Sequence, residues 1–448
     1  MNVWQDPGLR EAVWSHVRTA RWFAGKGRRA HLESLVPLDP VITDPVTVRH
    51  VVAEVVYDDA GPERYQLLVS QRRVDELDGG TEGPRVIAST EDGTALLDAT
   101  TDPAALLAWA GAVAGTRSCA APRSDSAEAG AEGSRRCTVE TFVPVPGPLA
   151  HARPFGGEQS NTSVEVDDRI IVKLFRRLEP GENLDIEIHH ALNRAGVDAV
   201  ATCHGALRCR LPGQDEACDL AMVVQRLPEP VDGWQLVSGM AARGEDATGE
   251  ARALGEALAE IHSALAQAFG TGSVDGTTVA DQMTARLDRA VAQVPALARH
   301  RDALAATFSR LAGRGLTVQR IHGDFHLGQT LSTPLGWRII DFEGEPLKSL
   351  AERRRPDSVW RDVAGMTRSL SYATSAAAHP TDEATVAWAR RAREAFLSGY
   401  GDGGGADRDL LTAYEADKAV YEVVYETLNR PDWVGIPLSA LAELTSGQ

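Results

Sequence analysis

Apolar residues follow two different spacings along the chain, one in each half. In the first half they alternate with polar residues, which is the spacing of antiparallel strands. The strands predicted there cover 46–52, 64–69, 138–143, 220–225 and part of 197–211. In the second half apolar residues recur every three or four positions, which is the spacing of amphipathic helices. Helices are predicted over 248–269, 278–293, 300–313, 360–376, 382–400 and 408–428, and two earlier ones over 5–24 and 90–116.

The change from strands to helices predicts an α+β protein with three segments. Residues 1–88 are predicted as an N-terminal α+β cap, residues 89–226 as a β-rich N-lobe and residues 227–448 as a helical C-lobe. Pro228 and Pro230 separate the last two segments, because proline interrupts both helices and strands. A β-rich lobe followed by a helical lobe is the arrangement of a two-lobed, protein-kinase-like fold.

Charge and composition narrow the class of partner. Of 448 residues, 43% are apolar and 24% charged, and the net charge of −17 disfavours nucleic acid and anionic membranes. No apolar run approaches a membrane span, and the amino terminus lacks the layout of a signal peptide. Five cysteines without a CxxC spacing are typical of a reduced compartment. We therefore expect a cytoplasmic monomer or weak dimer that binds small molecules and neither nucleic acid nor membrane.

Two short motifs in the helical half carry the strongest chemical signal. In the first, IHGDFHLGQ, Asp324 stands where a kinase places the base that orients an attacking hydroxyl. Gln329 follows five residues later, and Asp341 ends an apolar run in the second motif, IIDFEG. Amide and carboxylate oxygens suit Mg²⁺, and Glu343 is a further candidate ligand. A lone His-Gly-Asp is more often a turn, but these features together predict magnesium-dependent phosphoryl transfer.

The β-rich half supplies the residues that we predict hold ATP. Lys173 lies in an apolar strand, where an unpaired ammonium is costly to bury, so Glu187 on the next helix is its predicted partner. In kinases such a lysine contacts the α- and β-phosphates. The alternative is an exposed lysine beside a surface glutamate. A polar turn is predicted to lie over the phosphates of ATP. Residues 225–227 are predicted to contact the nucleotide base. The complete predicted nucleotide set is Lys173, Glu187, Ser160, Asn161, Thr162, Gln225 and Leu227.

A helix near the carboxyl terminus carries the side chains of a sugar site. The spacing places four side chains on one face of this helix, Tyr414, Asp417, Tyr421 and Tyr425, and three on the adjacent face, Glu415, Glu422 and Glu426. Aromatic rings stack on sugars, and carboxylates accept hydrogen bonds from hydroxyls. The alternative is an ordinary amphipathic helix with its tyrosines in the core. The complete predicted acceptor set is Asp324, His326, Glu345, Trp360, Asp417, Tyr421, Glu422 and Glu426.

These motifs together resemble the actinobacterial maltokinases of the aminoglycoside-phosphotransferase-like, eukaryotic-kinase-like superfamily. The matching segments include RWFAGKGR (21–28), EQSNTSV (158–164), IVKLFRR (171–177), IHGDFHLGQTL (321–331), IIDFEGEP (339–346), YEADKAVYEVVYE (414–426) and RPDWVGIPL (430–438). The resemblance implies a cap, a β-rich intermediate subdomain and a helical lobe, with ATP and Mg²⁺ as cofactors. At the matching positions it implies Asp324 as the base, Gln329 and Asp341 at the metal, and Lys173 at the phosphates.

Two departures from the maltokinase pattern bear on the acceptor. Trp360 stands where maltokinases usually carry a small aliphatic residue, and Leu370-Ser371 replace an aromatic and an acidic residue. If these positions line the acceptor pocket, both changes favour an acceptor smaller than a disaccharide. The similar glucosamine kinase branch converts D-glucosamine to D-glucosamine 6-phosphate, and we favour this reaction over phosphorylation of maltose to maltose 1-phosphate. An aminoglycoside phosphotransferase and a pseudokinase binding module are weaker alternatives. The carboxylates predicted to meet an ammonium group are Glu343, Glu345, Asp417, Glu422 and Glu426.

Overall fold

The computed structural model divides the chain into two compact units. It describes residues 3–77, 83–119, 137–156, 160–211, 213–345, 348–379, 382–401 and 407–446. One unit contains Met1–His190 and Thr202–Leu227, and the other contains Ala191–Ala201 and Pro228–Gln448. The first unit is rich in strands and the second is mostly helical, in agreement with the predicted α+β class. The division into three segments at residues 88 and 226 stays a prediction.

The first unit begins with a helix and an antiparallel sheet. Asp6 caps the helix by accepting the N–H of Leu9 at 2.8 Å, and Pro7 occupies the first helical position, where proline is well tolerated. The strands pair in the order β1-β2-β3-β5-β4. The elements are α1 (Pro7–Thr19), β1 (Ala30–Pro37), β2 (Thr47–Tyr57), β3 (Glu63–Arg73), β4 (Val86–Ser89), β5 (Thr94–Asp98) and α2 (Pro103–Val113).

Strand β2 buries both of its faces because each packs against a different helix. Val51 and Val55 share a core with Val13 of α1. Val52, on the opposite face, belongs to the core that contains Trp109 of α2. The two-residue period of a strand thus places alternate valines in two cores, which explains why this segment is nearly continuously apolar.

A second antiparallel sheet completes the first unit. Its strands pair in the order β6-β11-β12-β9-β8-β7, whereas β10 pairs with β3 of the first sheet. Gln66 on β3 also joins the sheets, since its side-chain amide donates to the carbonyls of Phe175 and Leu220. The elements are β6 (Cys137–Thr141), β7 (Ala152–Pro154), β8 (Thr162–Val166), β9 (Ile170–Leu174), β10 (Arg177–Leu178), α3 (Leu184–Arg194), β11 (Cys203–Arg210) and β12 (Ala217–Gln225).

The prediction of a single helix over 90–116 is wrong for its first part. Thr94–Asp98 forms β5, which pairs with β3 and places Leu97 opposite Ser70. The helix begins only after Asp102, whose carboxylate accepts the N–H of Ala105 at 3.3 Å. A short apolar run is compatible with either a strand or a helix, so pairing with β3 decides the outcome.

The second unit is mostly helical, and the six helices predicted from residue 248 onward are confirmed to within a few residues at most ends. Helices α4 and α12 were not predicted. None of the helices in the described ranges combines the length and the apolar character needed to cross a membrane. The elements are β13 (Val231–Asp232), α4 (Gly233–Arg243), α5 (Thr248–Phe269), β14 (Thr271–Asp275), α6 (Gly276–Gln293), α7 (Arg301–Ser309), β15 (Gly315–Gln319), β16 (Thr330–Thr333), β17 (Gly336–Ile339), α8 (Leu350–Arg353), α9 (Trp360–Ala373), α10 (Glu383–Tyr400), α11 (Arg408–Asn429) and α12 (Gly435–Ser446).

Two glycines bring the backbones of α5 and α10 close together. A Cβ atom on Gly255 would lie 2.2 Å from the carbonyl oxygen of Phe396, and one on Gly399 would lie 2.0 Å from that of Arg252. Any larger residue at these positions would force the helices apart. The close approach places His262 of α5 within 2.8 Å of the Tyr400 hydroxyl on α10. This histidine contributes to the loop described below.

His50 is a fully buried histidine in the first unit. Its Nδ1 lies 2.7 Å from the side-chain oxygen of Gln66, and the indole N–H of Trp109 donates to its Nε2 at 3.1 Å. The ring therefore carries its proton on Nδ1 and accepts at Nε2. Burial disfavours the charged ring and lowers the pKa of His50 to about 4.

We expect stability to fall with acidification below pH 6.5, partly because of His50. Between pH 6.5 and 4 the unfolded chain binds a proton at this histidine and the folded chain does not. The contribution of neutral His50 to the free energy of unfolding is fully present above pH 6.5. It falls by about 3 kcal/mol as the pH drops to 4. Urea denaturation of His50→Gln at several pH values should show a shallower acid slope than wild type. The matched substitution of an exposed histidine, His379→Gln, should leave the slope unchanged, and equal slopes for all three proteins would contradict the assignment.

Candidate active site

Asp362, near the start of α9, anchors the loop that carries Asp324. Its carboxylate accepts the N–H of His322 at 2.8 Å and that of Gly323 at 2.9 Å. Gly323 has a φ of 86°, a left-handed conformation that glycine adopts without a steric penalty. Burial alone would raise the pKa of Asp362, but the hydrogen bond from His262 at 3.0 Å, the charge of His262 and the backbone hydrogen bond from Gly323 outweigh burial and lower the pKa.

The buried ring of His322 holds the same loop from another side. Its Nε2 lies 3.0 Å from the carbonyl oxygen of Ile340, and the N–H of Asp324 points at its Nδ1 at 3.3 Å. Because the carbonyl can only accept and the amide can only donate, the ring carries its proton on Nε2. His322 therefore links the Asp324 loop to the segment that carries Asp341, and it supports the loop through hydrogen bonds.

The residues predicted to hold a metal come from two neighbouring chain segments. The N–H of Ile340 donates to the backbone oxygen of Gln329 at 3.0 Å, which extends the pairing of β16 with β17. Asp341 follows with a φ of 65°, which is uncommon for a residue other than glycine and is typical of a functional constraint. Carboxylate oxygens of Asp341 and Glu343 lie within 4.8 Å of each other. This set of oxygen donors fits a hard divalent cation such as Mg²⁺.

A cavity of about 260 Å³ lies beside Asp324 within the second unit. Its wall is formed by α6, the Asp324 loop, the start of α9 and one face of α11. The wall combines apolar and aromatic surface with an unusually dense set of charges, five positive and three negative. The charged residues are Arg286, Arg289, Lys348, Arg361, Lys418, Asp324, Glu345 and Asp417.

Two of the three carboxylates on this wall pair with one cation each. Asp417 accepts a two-pronged contact from Arg286, with Nε at 2.9 Å and Nη2 at 2.8 Å. Such a planar pair fixes both side chains and the helices that carry them. One oxygen of Asp324 lies 3.6 Å from the ammonium nitrogen of Lys418 on α11. The acid predicted as the base therefore has a cation beside it.

The third carboxylate, Glu345, belongs to a larger network. Arg361 contacts it directly, and the ammonium of Lys348 lies 3.0 Å away. Burial would raise the pKa of Glu345, but these two cations outweigh burial and lower it to about 2. Arg361 also contacts Asp357 at 3.0 Å, and the hydroxyl of Tyr414 donates to Asp357 at 3.0 Å. Glu345 is thus held within the wall and does not act as an isolated acid.

The structure brings half of the predicted acceptor set to this cavity. The residues that line the wall are Asp324, Glu345, Asp417 and Tyr421. Four others lie outside the wall that the described residues form, namely His326, Trp360, Glu422 and Glu426. One face of the carboxyl-terminal helix α11 therefore lines the cavity with Asp417 and Tyr421. The face with Glu422 and Glu426 does not line it.

Glu422 and Glu426 lie on the face of α11 that is turned away from the cavity. Glu422 accepts from Arg368 of α9 at 2.7 and 3.0 Å. Glu426 is buried near Arg430, with 3.7 Å between the charged atoms. Neither acid lines the cavity that the described residues form, and each has an arginine nearby, so a role for them at the acceptor stays a prediction.

His326 has a local structural contact in the loop. Its Nδ1 accepts the N–H of Gly328 at 3.1 Å, which caps the short turn leading to Gln329. Burial lowers its pKa, the charge of Asp324 opposes this effect, and the charge of Lys418 adds to it. His326 therefore shapes the loop from a position behind the cavity wall.

Trp360 and Leu370-Ser371 do not support the argument from pocket size. The indole of Trp360 packs edge-on against Tyr400, with 6.2 Å between ring centroids. Leu370 is buried, and the hydroxyl of Ser371 donates within its own helix to the Thr367 carbonyl at 3.1 Å. These residues pack within the helical unit and do not line the cavity that the described residues form, so a direct effect on the acceptor stays a prediction.

This placement gives a prediction for Trp360→Leu. We expect the substitution to leave the relative rates with glucosamine and maltose within about twofold of wild type. Loss of indole packing should instead lower thermal stability, by an amount on the order of 1–3 kcal/mol. Initial rates with both acceptors and a thermal melt test this directly. A selective gain with maltose would show that the indole restricts the pocket after all.

None of the five cations on the cavity wall was among the predicted site residues, and three of them are instructive. Arg286 and Arg289 lie on α6, more than a hundred residues before α11, so no local spacing connects them with Asp417. Lys418 could have been predicted from the sequence, since it follows Tyr414 by four residues and precedes Tyr421 by three. Helical spacing alone would have placed it on the same face.

In the first unit, Lys173 has a carboxylate partner on α3. Its ammonium donates to Oδ2 of Asp185 at 2.9 Å, and both side chains are largely buried. Burial alone would raise the pKa of Asp185, but Lys173 and His189 hold it well below its usual range. The partner shown is thus two residues before Glu187, and the role of Glu187 stays a prediction.

The polar turn before β8 is tied to a buried arginine. Asn161 accepts the backbone N–H of Arg176 at 3.1 Å, and the hydroxyl of Thr162 accepts from its guanidinium at 2.8 Å. Ser160 is exposed, and Gln159 lies outside the described residues. The side chains of Asn161 and Thr162 therefore stabilise the sheet, which leaves Ser160 as the stronger candidate for a phosphate contact.

The segment predicted to meet the nucleotide base uses two of its N–H groups internally. The N–H of Gln225 donates to the carbonyl of Thr202 at 2.8 Å, and that of Arg226 donates to the carbonyl of Arg169 at 2.8 Å. Leu227 follows and is buried. Among the backbone N–H groups of this segment, that of Leu227 therefore stays the candidate for a contact with the nucleotide base.

Solved structures resemble this chain over nearly its whole length. A structure described as glucosamine kinase in complex with glucosamine, ADP and inorganic phosphate has a TM-score of 0.64 and 24% sequence identity. The match covers 96% of this chain and 99% of that one. A crystal form A of glucosamine kinase matches at a TM-score of 0.64 and 23% identity, covering 98% of each chain. The predicted kinase-like α+β fold is confirmed.

Sequence comparisons identify the family. A glucosamine kinase of Streptacidiphilus jiangxiensis is 31% identical over 349 residues, 71% of this chain and 78% of the relative. A glucosamine kinase of Mycolicibacterium smegmatis is 28% identical over 65% of this chain and 79% of its own length. The model of the maltokinase N-terminal cap domain matches residues 16–102, and that of the phosphotransferase enzyme family matches residues 151–414. With Asp324 and its anchored loop inside the second match, the chain belongs to the phosphotransferase enzyme family and carries a maltokinase-type cap.

Proposed function

We propose that the protein is an ATP-dependent glucosamine kinase that converts D-glucosamine to D-glucosamine 6-phosphate. The observation that carries the proposal is the position of Asp324. It is held by the hydrogen bonds of its loop to Asp362 and lies on the wall of a cavity that Asp417 and Tyr421 also line. The glucosamine kinase of Streptacidiphilus jiangxiensis, at 31% identity, supports the same acceptor.

ATP and Mg²⁺ are the cofactors of the proposal. Gln329, Asp341 and Glu343 would hold Mg²⁺, and Lys173 would contact the phosphates of ATP. Bound Mg²⁺ neutralises charge on the transferred phosphoryl group. Asp341 has an unusual backbone conformation, and its carboxylate lies within 4.8 Å of that of Glu343.

Asp324 orients the acceptor and receives its proton. A hydroxyl of the sugar donates a hydrogen bond to Asp324, and its oxygen then faces the γ-phosphorus. The new bond forms between this oxygen and the γ-phosphorus while the bond from that phosphorus to the β,γ-bridging oxygen breaks. The hydroxyl proton passes to Asp324, and ADP leaves with the bond electrons. Because phosphoryl transfer requires mainly positioning and charge stabilisation, an anchored carboxylate is sufficient.

In this proposal the acceptor amine lies away from Asp324, because Asp324 must accept a hydrogen bond from the reacting hydroxyl. Asp417 lines the cavity and accepts from Arg286, and each of its carboxylate oxygens can accept a further hydrogen bond. If the amine binds Asp417, the hydroxyl that contacts Asp324 is one that lies far from the amine in the sugar. In glucosamine the 6-hydroxyl lies across the ring from the 2-amine.

Maltose is the second candidate acceptor. The match to the maltokinase N-terminal cap over residues 16–102 is the specific observation in its favour. The cap lies in the first unit, whereas the cavity beside Asp324 is formed by the second. We therefore give the residues of the cavity more weight than the cap in choosing the acceptor.

A coupled ADP-release assay tests the proposal. The purified protein is supplied with ATP, Mg²⁺ and one of four acceptors: glucosamine, maltose, glucose or kanamycin. We expect the highest kcat/KM with glucosamine, and at least tenfold less with glucose, because glucose lacks the ammonium that would hydrogen-bond to Asp417. A higher value with maltose would establish a maltokinase, and a higher value with kanamycin an aminoglycoside phosphotransferase. No acceptor-dependent ADP release would refute the kinase proposal.

A further inference from the structure

Lys418 makes an ion-pair contact with the proposed catalytic base in the part of the chain that the structure describes. Its ammonium nitrogen lies 3.6 Å from Oδ1 of Asp324, and the two side chains are 26% and 21% exposed. Both residues line the cavity beside the loop. The same ammonium lies 5.4 Å from the ring centroid of Tyr421, one turn further along α11. Lys418 therefore stands where the acceptor, the base and an aromatic surface meet.

The helix that carries Lys418 is fixed at this point by its neighbours. Asp417, the preceding residue, makes the two-pronged contact with Arg286 of α6. Tyr414, one turn earlier, donates to Asp357 at 3.0 Å. These two contacts, in the turn of α11 that precedes Lys418, restrict rotation and sliding of the helix, so the ammonium is held in a defined place. Positioning groups work in this way when a supporting layer of contacts holds them.

We propose that Lys418 is a positioning residue for phosphoryl transfer, which holds one oxygen of Asp324 and leaves the other for the acceptor hydroxyl. This inference rests on the proposed function of Asp324 as the base. An ion pair of this exposure contributes little to stability. Its effect on the direction of a catalytic carboxylate is larger, because a small displacement of a reacting group costs about 100-fold in rate.

Replacement of the ammonium tests the inference. We expect Lys418→Met to lower kcat by about 10- to 100-fold while KM for ATP stays within about twofold of wild type. Lys418→Arg should retain more activity than Lys418→Met, since it keeps the positive charge. Arg408→Met removes an exposed cation from the first turn of the same helix and should leave kcat unchanged. A merely structural role would instead lower thermal stability without this separation of kcat from KM.

Chemical rescue provides the second readout. Lys418→Cys treated with 2-bromoethylamine regains an ammonium on a side chain of nearly the same length. We expect the treated variant to recover at least tenfold over the untreated one, with treated wild type as the control. If Lys418→Met keeps kcat within twofold of wild type, or if the aminoethylated variant stays as slow as the untreated one, the inference is wrong.

The acceptor in these assays is whichever sugar the wild-type protein phosphorylates fastest. Wild-type turnover with glucosamine tests the proposed function, and the ratio of variant to wild type tests Lys418. The proposed function and the positioning role of Lys418 can therefore be refuted independently of each other. A protein that phosphorylates maltose but depends on Lys418 would refute the acceptor and support the positioning role.

Discussion

Substituting Asp324 with asparagine is expected to lower kcat by about 10²- to 10⁴-fold, the largest effect of any single substitution in the site. The amide has nearly the same shape as the carboxylate but cannot take the proton of the acceptor hydroxyl. The loop should stay in place, because its anchors are the backbone N–H groups of His322 and Gly323, which bind Asp362.

The measurement pairs turnover with nucleotide binding. ADP release gives kcat, and calorimetric titration of the same variant should give a Kd for ATP within about threefold of wild type. Asp281→Asn, an exposed aspartate on α6, is the matched control and should behave like wild type in both assays. Near-normal turnover of Asp324→Asn would exclude Asp324 as the base.

Replacing Asp362 with alanine is expected to have the largest effect on stability. This carboxylate is fully buried and accepts hydrogen bonds from two backbone N–H groups and lies within 3.0 Å of His262 Nε2. Alanine leaves those buried donors without a partner, a loss on the order of 3–5 kcal/mol. The loss should also reduce turnover, because the Asp324 loop would no longer be anchored.

Chemical denaturation and kinetics of the same variants check this expectation. Asp302→Ala removes a nearly fully exposed aspartate from α7 and should change stability by less than about 0.5 kcal/mol. Asp362→Asn keeps one acceptor oxygen, so its loss should fall between the two. An Asp362→Ala protein as stable as Asp302→Ala would show that the buried hydrogen bonds do not hold the loop.

The residues predicted for catalysis and metal binding lie near one another in the structure because they are close together in the chain. Asp324 and Gln329 are separated by one short turn, and the pairing of β16 with β17 brings Asp341 beside them. The helices predicted from residue 248 onward follow the same reasoning, since their apolar period continues for several turns. Where the apolar run was short, as in β5, pairing with β3 decided the structure and the local pattern did not.

The acceptor side was predicted less well, because charge pairing depends on residues far apart in sequence. Spacing along α11 placed Asp417 and Glu422 on adjacent faces, but it could not show which face turns to the cavity. Asp417 pairs with Arg286 of α6 and Glu422 pairs with Arg368 of α9. Both arginines are far from α11 in the sequence, so local spacing does not reveal these pairs. A carboxylate that looks available for an ammonium in the sequence can already be paired with an arginine in the fold.

The central claim, phosphorylation of glucosamine at the hydroxyl presented to Asp324, is tested most directly by the structure of the product. The protein is incubated with ATP, Mg²⁺ and glucosamine, and the product is examined by ³¹P–¹H correlation spectroscopy. We expect one phosphate monoester coupled to the two protons of C6, formed by wild type and absent with Asp324→Asn. Coupling to the anomeric proton, or no phosphorylated sugar at all, would contradict the claim.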